Sequence, residues 1–105
     1  MNTGAFYILL VLASGERHGL AISSDVESIT EGHVRLVPGV LYRHLKQMEI
    51  DGWIAEIKPK GDPAGVRRYY RLTPRGRSIV SAEARRMESA VRIAKANHLL
   101  PATQR

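Results

Sequence analysis

Apolar positions change their spacing along the chain, and each change marks an element. Residues 6–13, F-Y-I-L-L-V-L-A, form a nearly unbroken apolar run that ends at Ser14-Gly15. A short stretch that is apolar all round predicts a buried helix, over about residues 4–14, and is too short to span a bilayer. The segment E-R-H-G (16–19) shows no period and reads as a loop. Ile22, Val26 and Ile29 then recur at helical spacing, which predicts a second helix over about 19–30 with Gly32 beyond its end. V-R-L-V (34–37) suits a short extended segment.

A third helix is predicted over about 38–51, opened by Pro38 and stopped at Asp51-Gly52. Proline is tolerated in a first turn because its missing N–H would have no intrahelical partner there. Leu41, Leu45 and Met48 share one face, flanked by His44. The opposite face collects Gly39, Tyr42, Arg43 and Lys46. A helix N-terminus favours phosphate, cations read guanine edges, and tyrosine bonds phosphate or packs on a thymine methyl.

The period then shortens. W-I-A-E-I (53–57) and R-R-Y-Y-R-L (67–72) are strand-like, and K-P-K-G-D-P-A-G (58–65) between them is rich in turn residues. In the second strand Arg68, Tyr70 and Leu72 share one face, and Arg67, Tyr69 and Arg71 the other. Trp53 is expected to pack under this hairpin.

The last helix is predicted from the Thr73-Pro74 cap to about His98, before Pro101. Gly76 is expected to weaken its first turn by about 1 kcal/mol relative to alanine. Val80, Ala84, Met87, Val91, Ala94 and His98 are spaced 4, 3, 4, 3 and 4 residues apart, a heptad-type seam. It offers more apolar surface than a small domain can cover, and a second copy is the simplest cover.

These elements make a mainly α fold with a small β-hairpin: a winged helix-turn-helix plus a long C-terminal dimerisation helix. Residues 1–73 form the DNA-binding part and residues 74–105 the dimerisation helix and tail, within one compact unit.

Charge sharpens this picture. The chain has 105 residues and a net charge of +6. Residues 58–77 hold Lys58, Lys60, Arg67, Arg68, Arg71, Arg75 and Arg77 against Asp62 alone, a local excess equal to that of the whole chain. A local basic block points to a polyanion, either nucleic acid or an anionic membrane surface, and the winged helix-turn-helix favours double-stranded DNA. There is no cysteine, so no disulfide framework and no thiolate metal site. With no signal-peptide pattern, the expected location is the cytoplasm, with no membrane partner.

His18, His33, His44 and His98 show no metal-ligand spacing, and no nucleophile or phosphate-loop motif is present. Neither catalysis nor a cofactor or metal is expected. His18 is expected to order the loop before the second helix.

The combination of H-G (18–19), P-G-V-L-Y-R-H-L (38–45), M-E-I-D-G-W-I (48–54) and R-R-Y-Y-R-L-T-P-R-G (67–76) resembles the PadR family of bacterial transcriptional regulators. The resemblance covers about residues 6–98, and the single long last helix is similar to the smaller subfamily. It implies a homodimeric repressor on a palindromic operator, with release by a small-molecule effector near the dimer interface. Residue by residue it matches Pro38, Gly39 and Tyr42 to the start of the recognition helix, and Arg67, Arg68, Tyr69 and Tyr70 to the second wing strand. Taken with the polar face of the third helix and the basic block, the expected DNA contacts are Pro38, Gly39, Tyr42, Arg43 and Lys46 on the recognition helix and Lys58, Lys60, Arg67 and Arg68 on the wing. The chain departs from the family at Val37 and Val40, where hydroxyl residues are usual, and at Leu20, where tyrosine is frequent. A reading from another class is a winged-helix adaptor that binds a protein and holds DNA only non-specifically.

Overall fold

The computed structural model describes residues 1–58 and 67–101. Along them run α1 (Thr3–Leu12), β1 (Arg17–His18), α2 (Gly19–Ile29), α3 (Pro38–Ile50), β2 (Ile54–Ile57), β3 (Tyr69–Leu72) and α4 (Pro74–Ala96).

α1 occupies the centre. Ala5, Phe6, Ile8, Leu9, Val11 and Leu12 are buried, while Tyr7 is half-buried and Leu10 exposed, so the helix is covered on most of its circumference but not all of it. Ile22 and Val26 of α2, Leu41, Leu45 and Met48 of α3, Ile54, Tyr70 and Val80 close round it. Ile29 shares the spacing of Ile22 and Val26 but is exposed, because the last turn of α2 runs past the edge of the core. No helix among the described residues is long and apolar enough to cross a membrane.

The sheet has the order β1-β3-β2 and is antiparallel. β2 and β3 are the expected hairpin, with Ile54 opposite Leu72 and Ile57 opposite Tyr69. β1 was not expected. Residues 16–19 had read as a loop, yet Arg17 pairs with Tyr70 and His18 with Tyr69. Two residues are too few to show a period of two, and their partner lies far along the chain. Residues 34–37 join no strand pair, and Val37 at their end is extended. There the Leu36 carbonyl accepts from Ser23 Oγ at 3.2 Å, and the Val34 N–H donates to Thr30 Oγ1 at 3.0 Å.

α2, α3 and α4 end in the same way, with one residue turned left-handed and the next N–H reaching back into the last turn. In α3 the turned residue is Gly52, and Trp53 N–H donates to Met48 O at 2.9 Å. In α4 it is His98, and Leu99 N–H donates to Ala94 O at 2.8 Å. His98 therefore lies beyond the helix and off its seam.

The start of α4 is locked to the end of α3. Thr73 Oγ1 accepts from Gly76 N–H at 3.0 Å and donates to Gly52 O at 2.6 Å. Thr73 N–H also donates to Trp53 O at 3.0 Å. A Cβ on Gly76 would overlap that same carbonyl oxygen and stand 2.9 Å from its carbon. Gly76 is thus the residue that lets α4 meet the Trp53 backbone, a role that helix propensity does not register.

α4 packs on α1 through its first turns, where Val80 is buried and Ile79 half-buried. Val80 consequently belongs to the chain's own core rather than to a free seam. From Ala84 onward the helix is exposed, apart from half-buried Ala94 and Lys95. Its 23 residues extend the molecule to 53 Å in its longest dimension.

Candidate nucleic-acid interface

Burial of Leu41, Leu45 and Met48 fixes which side of α3 faces outward. Pro38, Gly39, Tyr42, Arg43 and Lys46 are all exposed. Among the described residues neither Arg43 nor Lys46 enters an ion pair. Val37 occupies the N-cap with φ −67° and ψ 154° and makes no side-chain cap bond. The first N–H groups of α3 have no intrahelical partners and point out from this end.

Tyr42 leans back toward the start of α2. A Cβ on Gly19 would overlap its hydroxyl and stand 2.9 Å from its Cζ. His18 caps α2, its Nδ1 accepting from Ala21 N–H at 3.3 Å, and its ring meets Tyr69 edge-on at 5.3 Å. Arg17 ties β1 to α2 through Asp25, Nε to Oδ2 at 2.9 Å. His18, Gly19, Leu20, Tyr42, Arg67 and Arg68 line one hollow of about 460 Å³.

The structure thus brings Tyr42 together with Arg67 and Arg68, from parts of the chain that sequence reading had treated separately. Lys58 is exposed beside the hairpin. Lys60 lies outside the described residues. His18, Gly19 and Leu20 had not been counted as site residues. The signal for them was the H-G pair: a ring able to cap a helix, followed by a residue that leaves room for another side chain.

Two groups beneath this surface are shifted from their ordinary ionisation. Burial, and then the charge of Arg43, hold the His44 imidazole below its usual range. Burial raises the Tyr70 phenol, partly offset by a hydrogen bond with Arg68. Arg68 Nε also stands 4.0 Å from Glu56 Oε2 across the hairpin.

The seam residues divide. Val80 is in the core and His98 is beyond the helix, whereas Ala84, Met87 and Val91 are exposed and Ala94 is half-buried.

A helix-turn-helix with an outward cationic face, joined through one hollow to a two-stranded wing, defines the winged-helix class of DNA-binding proteins. Residues 8–82 match the Transcriptional regulator PadR-like family, and the chain belongs to that family. It is 31% identical over 86 residues to the transcriptional regulator Rv3488 of Mycobacterium tuberculosis, covering 82% of this chain and 77% of that protein. It is 36% identical over 86 residues to an uncharacterized 37.1 kDa protein in transposon TN4556 of Streptomyces fradiae. That match covers 82% of this chain but only 23% of the Streptomyces protein. A PadR family transcription regulator from Clostridium difficile R20291 has the same fold, with a TM-score of 0.75 and 21% identity. The superposition covers 90% of this chain and 97% of that one. Membership places the protein among transcriptional regulators, and DNA binding goes with it.

Proposed function

We propose that the protein is a repressor that reads a palindromic operator as a homodimer. The observation that carries this reading is the exposed face of α3 with Tyr42, Arg43 and Lys46, whose Tyr42 lines one hollow with Arg67 and Arg68 of the wing. In this reading Tyr42, Arg43 and Lys46 enter the major groove, and the wing cations, Lys58 and Lys60 included, hold phosphate. Exposed Ala84, Met87 and Val91 on α4 support pairing with a second copy. Residues 1–73 read the DNA, and residues 74–105 set the spacing. Two such heads would meet major grooves about 34–36 Å apart, one turn of duplex.

Selection of fragmented genomic DNA on the purified protein near physiological salt tests this. The expected product is an inverted repeat with half-sites one turn apart. Uniform recovery would sink sequence reading and favour an adaptor whose hold on DNA is purely electrostatic. Release by a small molecule belongs to the same proposal. A thermal-shift screen with planar aromatic compounds tests it, and silence from a broad library counts against it.

A further inference from the structure

The leading end of α3 is chemically unusual for a surface that reads DNA. Its first four positions are Val37, Pro38, Gly39 and Val40, and none carries a side-chain donor or acceptor. Polar readout from side chains begins only at Tyr42 and Arg43. Val37 is 59% exposed, and as an N-cap it leaves the helix start without a side-chain bond. Valine is among the poorest cap residues, so local stability does not account for it. Nor does packing, since the core closes without it. Pro38 and Gly39 beside it are exposed as well, and a Cβ on Gly39 would meet nothing within 4 Å. The tip is therefore an open apolar surface, with the charges of Arg43 and Lys46 one and two turns behind it.

The N-terminal residues of a recognition helix lie nearest the base edges. In the major groove the apolar feature that distinguishes one base from the rest is the 5-methyl group of thymine. We infer that Val37 reads thymine 5-methyl groups, so that each operator half-site carries a required thymine under the tip of α3. The inference rests on the DNA-reading function proposed above and adds to it the chemistry of one base position.

The test uses the full chain and the operator recovered by selection. Each thymine is replaced in turn by uracil, which keeps every hydrogen-bonding edge and removes only the methyl. At one or two positions per half-site, uracil should weaken binding by roughly three- to five-fold, the worth of one buried methyl. Val37→Ala and Val37→Ser should each abolish that thymine-over-uracil preference. Their melting temperatures should not fall, because the side chain is exposed and serine is a better cap. The readout is the preference ratio, so any phosphate contact made by the new serine hydroxyl does not confuse it. An enriched operator in which uracil is neutral everywhere would overturn the inference and leave the regulator reading standing. So would a preference that survives in both Val37 variants, since another side chain would then be reading the methyl. Failure to enrich any sequence would overturn the regulator reading, and this inference with it.

Discussion

The hydroxyl end of Tyr42 rests over the bare α-carbon of Gly19, where a Cβ would occupy the same space. This contact sets the direction of the one aromatic side chain on the outward face of α3. The obstacle a new methyl would meet is the far end of a side chain that is 44% exposed, not backbone. Gly19→Ala should therefore displace Tyr42 at small cost to the fold. The expected outcome is a melting temperature nearly unchanged and operator affinity reduced by about five-fold, the worth of one displaced contact of about 1 kcal/mol. Parallel thermal melts and DNA titrations check it. An equal loss in both would mean that Gly19 serves the fold rather than the interface.

Gly76→Ala should do the reverse. Helix propensity alone would have it stabilise α4 by about 1 kcal/mol. The Trp53 carbonyl stands where the new Cβ would go, and it is backbone held by the Thr73 N–H. Crowding of this kind costs about 1–3 kcal/mol, so the variant should be destabilised in urea melts. A stabilised variant would show that the end of α3 can give way.

Gly76 marks the limit of what was legible in the sequence. The third helix was readable because Leu41, Leu45 and Met48 repeat at the spacing of the face they bury, which left Tyr42, Arg43 and Lys46 outside by elimination. The Thr73-Pro74 cap was readable because it is local. The arrival of the Trp53 carbonyl at Gly76 is tertiary, and so is the pairing of Arg17 with Tyr70. The seam of α4 was half-readable. Its spacing runs without a break from Val80, in the chain's own core, to Met87 and Val91, which are exposed. Spacing does not say which of two surfaces an apolar side chain meets. It also counts straight through a helix end, which is how His98 was drawn onto the seam.

Met87→Glu and Val91→Glu test the proposed pairing of α4. Both side chains are exposed in the single chain, so the folded monomer should survive the change. Sedimentation should shift from dimer to monomer, and the dependence of the melting temperature on protein concentration should disappear. Retained dimers in both variants would move the interface away from this face.

His44 should make stability depend on pH. Its folded-state pKa lies below the ordinary value of 6.5 because the ring is desolvated and faces the charge of Arg43. Between the two values the unfolded chain binds more protons than the folded one. Stability is then complete above the unfolded value and falls as the pH drops from there through the lower folded value. Urea melts across this window should show that slope for the parent protein and a flatter one for His44→Gln. Identical slopes would assign the effect to other groups.

The junction at Thr73 carries a mechanical consequence. One oxygen atom closes the end of α3 through the Gly52 carbonyl and opens α4 through the Gly76 N–H. Opening such a joint costs both hydrogen bonds, about 1 kcal/mol each. A twist of the protruding shaft of α4 would strain both bonds and pass to the end of α3. In the proposed pair, the two reading heads would be geared to each other, and a small twist between the shafts would throw both out of step with the groove.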